Sequence, residues 1–292
     1  MYYADMETRL REHTMRTKKY IIDLKILPYF GQKRVNDIIA ADIRRWQNEL
    51  IKKGYSPIYL KTINNQLSAI FNYAVKYYDL KGNPCTKAGS IGKSRAEEMS
   101  FWTIDEFRQF VDCIMDKRQS YMCFMILYWT GMRLGEMLAL TKEDIDFDNN
   151  EIRVTKSLQR IEGEIVITPP KTKKGIRTVK IPEFLTREIE MFIRMQYGLR
   201  NENRIFMLSK SFLHHELDRG CDAAGVKRIR IHDLRHSHVS MLIDMGFTPV
   251  DVANRVGHEN IDITMHYAHM FPKKQLEIAN RLESVNDWQE VI

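Results

Sequence analysis

Three short segments in the last two thirds of the chain gather residue types suited to handling a phosphate. In TGMRLGEMLAL, Arg133 stands beside Gly131 and Gly135 inside a stretch otherwise apolar from Phe124 to Leu140. A guanidinium in that setting is either held by an internal carboxylate such as Glu136 or aimed at an anionic ligand. In IRIHDLRHSHVSMLIDMG, His232 and Arg235 share a face if the segment is helical, one turn from His236, and the start of such a helix is a natural anion site. A metal is the competing reading, because His232 and His236 have i, i+4 spacing and His238 is near. Against it, Arg235 would repel a cation and no H-E-x-x-H pattern is completed. In RVGHENIDITMHYAHM, Thr248, Pro249 and Asp251 open a helix that ends at Gly257 and presents His258. Nine residues later stands Tyr267, flanked by His266 and His269. A phenol is about a thousandth ionised at pH 7, so Tyr267 is either a packed amphipathic side chain or a nucleophile served by nearby cations or a base. The turn KTKKG adds Lys171, Lys173 and Lys174, a soluble turn or a source of protons for an alkoxide leaving group.

The elements that would position these groups can be read from periodicity. Segments from about Asp5 to Leu27, Ala41 to Lys52 and Pro57 to Asp79 carry helical apolar spacing, punctuated by Gly31, Gly54 and Gly82. In the third, Leu60, Ile63, Leu67, Ile70, Phe71 and Ala74 form one stripe, with Ser56 as N-cap and Pro57 at the first helical position. The other face holds Lys61, Asn64, Asn65 and Ser68. It is either a solvated polar face or one suited to a DNA groove, with Lys for phosphate and Asn for an adenine edge. From Gly82 to Ser100 the period lapses into a Gly-, Ser- and charge-rich stretch, so the reading is a helical domain over 1–92, a linker over 93–98 and a second domain over 99–292. There, Thr103 to Met115 and Ser120 to Leu140 read as helices. Glu151 to Thr155, Glu164 to Thr168 and Arg177 to Ile181 read as strands, the last two joined through PPKTKKG as a hairpin. Helices resume at Pro182 to Met195, Ser211 to Ala224 and from His232. The fold class is mainly α with a small antiparallel sheet, α+β.

Composition sets the limits. The 292 residues are 44% hydrophobic and 28% charged, ordinary for a globular chain and against disorder. The longest apolar run, Cys123 to Trp129, falls far short of the ~20 residues of a spanning helix, and no charged n-region with an apolar h-region opens the chain. Cys85, Cys113, Cys123 and Cys221 form no C-x-x-C pair, so a cytosolic protein with reduced thiols is expected. Net charge is +7, and residues 1–98 alone, with 18 Lys and Arg against 10 Asp and Glu, carry +8. The basicity belongs to the first third, as expected of a segment that meets a polyanion.

An arginine in TGMRLGE, a lysine in a hairpin, H-x-x-R, and GH followed nine residues on by Tyr, in that order, resemble the tyrosine recombinase (phage integrase) family, in particular integrases of phages and conjugative transposons of Gram-positive bacteria. The resemblance covers the whole chain. It implies a SAM-like core-binding domain and a catalytic domain that close as a C-shaped clamp around DNA. It makes Tyr267 the nucleophile that forms a 3′-phosphotyrosyl link. Arg133 and Arg235 would hold the non-bridging oxygens, and Lys171 would protonate the departing 5′-oxygen, with Lys173 two residues away as the alternative. His232 would serve as acid and base near the tyrosine, and His258 would bond the phosphate. Lys18, Lys19, Arg44, Arg45, Lys61, Asn64 and Asn65 are the expected DNA contacts of the first domain. The exchange of one phosphodiester for another implies no metal and no cofactor, in keeping with the lack of a G-x-x-x-x-G-K-[ST] loop. Expected partners are duplex DNA core sites, three further copies through exchange of a C-terminal tail helix carrying Leu276, Ile278, Ala279 and Leu282, and DNA-bending or excision accessory proteins. No membrane is involved. Relatives usually carry a further amino-terminal domain for arm-type sites, whereas this sequence starts at the core-binding helices. The expectation is simple sites or a segment lying outside it. Three other functions share part of the pattern: a type IB topoisomerase, a DNA-binding regulator with a relic site, and a metal-dependent nuclease on His232, His236 and His238.

Overall fold

A computed structural model of the chain describes residues 1–93, 100–161, 163–170, 172–268, 279 and 282–283. It divides into two compact units, Met1–Glu98 and Met99–Ile292. The first is helical, with α1 (Tyr2–Glu7), α2 (Glu12–Ile21), α3 (Leu27–Phe30), α4 (Ala40–Lys52), α5 (Pro57–Tyr77) and α6 (Pro84–Ala88). The expected single helix from Asp5 is interrupted after α1, and between α2 and α3 the chain takes a π-helical turn over Ile22–Ile26. Pro28 stands two residues beyond it, and its missing N–H and ring bulk explain why regular α geometry is not kept there. On α5, Ser56 accepts a hydrogen bond from the Tyr59 N–H and Pro57 holds the first position. Leu60, Ile63, Leu67 and Phe71 then bury against Ile43, Trp46 and Leu50 of α4 within one core.

The second unit holds α7 (Ile104–Asp112), α8 (Arg118–Thr130), α9 (Leu134–Leu138), α10 (Glu183–Arg194), α11 (Lys210–Ala224), α12 (Asp233–Asp244), α13 (Pro249–Val256) and α14 (Asp262–Ala268). Its strands are β1 (Ile145–Asp146), β2 (Glu151–Val154), β3 (Ser157–Ile161), β4 (Glu164–Thr168) and β5 (Arg177–Lys180). α8 is buried nearly all round from Met122 to Tyr128, which makes it the central helix of the main core. A satellite cluster of Val239, Ile243, Val252, Val256 and Tyr267 joins α12, α13 and α14.

The sheet corrects the expected pairing. β4 and β5 do not form a hairpin: β4 pairs antiparallel with β3, whereas β5 pairs antiparallel with β2, with Ile152 opposite Val179. The KTKKG segment is therefore a crossing from a two-stranded sheet to a three-stranded one ordered β1-β2-β5. Pro169 and Pro170 supply no ladder donors, which suits the end of β4 and not the heart of a hairpin. Among the described residues no helix is long and apolar enough to cross a membrane, and the four cysteines are free thiols.

Candidate active site

Two left-handed glycines shape the site. Gly131, at φ 63, ends α8, and a Cβ there would come within 2.7 Å of the His238 ring. Gly257, at φ 70, ends α13, and a Cβ there would meet the Lys174 carbonyl at 2.6 Å. The second contact brings the backbone of the lysine-bearing crossing against the Gly257-His258 corner.

The last carbonyls of α13 lack partners within the helix and carry its negative dipole end. Arginines from three segments occupy them. Arg177 Nε donates to the Arg255 carbonyl at 3.1 Å, Arg235 Nη2 to Val256 at 2.6 Å, and Arg133 Nη2 to Gly257 at 3.4 Å. Arg235 also donates to the Gly131 carbonyl at 2.8 Å, at the end of α8, and to His258 Nε2 at 3.4 Å. Arg235 is 2% exposed. Desolvation, followed by the charges of Arg133 and Arg177, pushes its pKa down to about 9, so it remains a cation at neutral pH.

Glu136 is the buried counter-charge. One carboxylate oxygen accepts from Arg133 Nη1 at 2.8 Å, and the other accepts from Arg177 Nη2 at 2.9 Å and from the Arg133 backbone N–H at 3.0 Å. Burial opposes its ionisation, but these bonds outweigh burial and hold its pKa below the usual carboxylate range. Two guanidiniums thus share one carboxylate, and Arg235, which makes no bond to it, feels only its charge. Among the described contacts Arg235 uses three of its five N–H donors and Arg133 side-chain bonds use two, leaving donors for an anion.

The histidines are neutral bases in this state. His258 is lowered to about 3 by desolvation and then by Arg235 and Arg133. Because its Nε2 accepts from Arg235, its Nδ1 carries the proton and faces Thr264 Oγ1 at 2.8 Å. His232 opens α12 with part of its ring exposed, and desolvation and the charges of Arg235 and Arg133 lower its pKa. Its ring lies 5.3 Å from that of His236, edge to face. Tyr267 is fully buried, and its Oη is hydrogen-bonded to His236 Nδ1. Desolvation raises the phenol's pKa against the lowering effect of Arg235.

The structure therefore brings Arg133, Arg235 and His258 onto one corner, with His232 and Tyr267 meeting at His236. Lys171 lies outside the described residues, as do the tail helix positions other than Ala279 and Leu282, and the side chain of Lys173 is not described. Lys174 places Nζ 3.5 Å from the Glu259 carbonyl. His238 is 1% exposed and accepts from Arg255 Nε at 3.1 Å, so it serves the scaffold. Among the described residues no group of three or more His, Cys, Asp or Glu is arranged to hold a metal. Residues that sequence reasoning missed are Arg177, which looked like an ordinary strand residue, and Arg255. In the sequence, His236 stands out only as a possible metal ligand.

In the first unit, Asn64 departs from expectation. It is 3% exposed, accepts from Gln47 Nε2 at 2.9 Å and donates to Ser90 Oγ at 3.2 Å, so it is an internal polar link and not part of an exposed face. Asn65, Lys19, Arg44 and Arg45 are exposed. Arg45 pairs with Asp42 at 2.6 Å, Lys61 donates to Ser90 at 2.7 Å, and half-buried Lys18 donates to Gln66 at 2.8 Å.

Residues 101–274 match the phage integrase family, and residues 1–51 match the N-terminal SAM-like domain of phage integrases. The chain belongs to the phage integrase family. It is a tyrosine recombinase, an enzyme of the class that cleaves and rejoins DNA. Relatives of this recombinase include the ICEBs1 integrase of Bacillus subtilis (strain 168), 33% identical over 98% of this chain and 81% of its own length. The putative prophage phiRv2 integrase of Mycobacterium tuberculosis (strain H37Rv) is 26% identical over 97% of this chain and 76% of its own. The fold matches that of the Tn1549 transposon integrase, solved in complex with transposon right end DNA, with a TM-score of 0.79 at 22% identity over 96% of this chain and 98% of that one.

Proposed function

We propose that this recombinase integrates or excises a phage or other mobile element by cutting duplex DNA at core sites through Tyr267. The observation that carries the reading is the pairing of a buried phenol, bonded to a neutral histidine, with an anion pocket in which three guanidiniums outnumber one carboxylate. A phosphodiester entering the pocket takes donors of Arg235 and Arg133 on its non-bridging oxygens, where fixed cations stabilise the extra charge of a five-coordinate transition state. Tyr267 Oη forms the new bond to phosphorus. The bond to the 5′-oxygen breaks, leaving a 3′-phosphotyrosyl link and a 5′-hydroxyl. A lysine of the KTKKG crossing, Lys171 or its neighbour Lys173, supplies the proton to that oxygen, and His232 exchanges protons at the open edge. His258 first braces Arg235 and then, once an anion raises its basicity, bonds the phosphate. One phosphodiester replaces another at nearly equal energy, so this chemistry calls for neither metal nor nucleotide cofactor.

In the first unit Lys18, Lys19, Arg44, Arg45, Lys61 and Asn65 meet the duplex, mainly through phosphates; Asn64 supports Ser90 from inside. Four copies assemble on DNA by exchanging C-terminal tails, accessory proteins bias direction, and the reaction takes place in the bacterial cytoplasm. The domains run over 1–92 and 99–292 with a linker over 93–98.

The test is a nicked suicide duplex carrying the element's core site. The parent protein forms an SDS-stable DNA adduct. Tyr267→Phe binds the same duplex and forms none. An adduct from the Phe variant would overturn the assignment.

A further inference from the structure

The hydroxyl of Tyr267 meets His236, a residue that the spacing of the other site residues does not single out. His236 Nδ1 and Tyr267 Oη share a hydrogen bond, with ring centroids 5.7 Å apart and planes inclined by 33°. On the far side of the imidazole, Nε2 stands 3.9 Å from Oδ1 of Asp233, one turn earlier on α12. Asp233 is 2% exposed and fixed by Arg230, whose backbone N–H and guanidinium donate to it at 2.8–3.1 Å. A carboxylate on that side favours the tautomer protonated at Nε2, and this turns the Nδ1 lone pair toward the phenol. The arrangement has the logic of a hydroxyl nucleophile, a histidine and an orienting carboxylate.

We propose that His236 accepts the Tyr267 proton as the tyrosine attacks DNA, an inference that rests on Tyr267 being the nucleophile. The Oη–H proton passes to Nδ1 while Oη bonds to phosphorus and the bond to the 5′-oxygen breaks. That oxygen takes its proton from a different donor. In rejoining, the 5′-hydroxyl gives its proton back to that donor as it attacks phosphorus, the bond from phosphorus to Oη breaks, and the imidazolium returns its proton to the departing phenol. The groups facing His236 are His232, Asp233, Arg230 and Arg235 of its own stretch and Tyr267 of α14. Desolvation, with His232 adding to it, holds the free imidazole neutral, at about 4, so the lone pair is present at neutral pH. An incoming phosphate adds negative charge and raises its basicity.

His236→Asn keeps an acceptor near the Nδ1 position but cannot take a proton, and His236→Ala removes both. Single-turnover cleavage of the suicide duplex should fall about 10²–10⁴-fold in both variants, with DNA binding unchanged. Repeating the assay with sulfur in place of the bridging 5′-oxygen separates acid from base, because a thiolate leaves without protonation. The defect should persist with sulfur. Restoration by sulfur would make His236 the acid and overturn the proposal. Cleavage by His236→Asn within about threefold of the parent would also overturn it, since holding the phenol would then suffice. If His236→Ala fails to fold, His236→Asn decides alone. An adduct surviving Tyr267→Phe would remove the nucleophile assignment itself, an outcome distinct from either of these.

Discussion

The cations of the two units are held in opposite ways. In Met1–Glu98, Lys19, Arg44 and Arg45 lie exposed, on a segment whose net charge is +8. In Met99–Ile292 the net charge is near zero, yet Arg235 is 2% exposed and Arg177 has a side chain 6% exposed. An exposed charge is screened over about 8 Å at physiological salt and costs little to keep. A buried one is costly, and its cost falls when an anion arrives. In the proposed function the first pattern gathers DNA loosely over a surface, and the second concentrates attraction on one phosphate. Net charge reports the first and is blind to the second.

The contrast can be broken most forcefully at Glu136. Glu136→Ala leaves Arg177 buried without its carboxylate and should cost about 3–5 kcal/mol of folding stability, read by urea denaturation with an unchanged slope. A loss under 1 kcal/mol would mean that the guanidiniums do not depend on their counter-charge. Next, Arg235→Ala should slow covalent adduct formation about 10²–10³-fold, roughly 2.7–4 kcal/mol, at saturating DNA. Arg235→Lys should recover little of this, because a lysine cannot span Gly131, Val256 and His258 together. A smaller effect belongs to pH. His258 and His236 are lowered in the fold to about 3 and about 4, from a usual value near 6.5. The unfolded chain therefore binds more protons below pH 6.5. Their contribution is complete above that pH and is lost as pH falls toward the folded values, on the order of 1–2 kcal/mol each by pH 5. Melting temperatures between pH 7 and pH 5 check this, and a flat profile would contradict it. The smallest effect is at the surface of the first unit. Arg44→Ala should flatten the salt dependence of DNA affinity by about one unit of slope and leave cleavage at saturation unchanged.

Motifs were legible where the chemistry is local. TGMRLGE, HDLRH and GH with Tyr267 stood out because each places a charge or a glycine where apolar periodicity alone would not. Groups whose partners are distant did not. Arg177 alternates like any strand residue, and its partner Glu136 is 41 residues away. Asn64 has the helical phase of an exposed residue, but Gln47 and Ser90 from outside α5 cover it. The pairing of β5 with β2 spans a hairpin of its own, β3-β4, which local turn signals cannot reveal. His236 shares a helix face with His232 in any reading, but which one meets the phenol depends on where α14 docks.

Three arginines hang on the carbonyls of consecutive residues, Arg255, Val256 and Gly257. Their separation is thus tied to the backbone at the end of α13, where successive helical residues rise by about 1.5 Å, with Glu136 bracing two of the three. The charge geometry is insulated from mutational drift on the DNA-facing surfaces. Such a protein can change the sequence it reads while the distances at its phosphate stay constant, which is a physical reason for a lineage of mobile elements to acquire new target sites without rebuilding its chemistry.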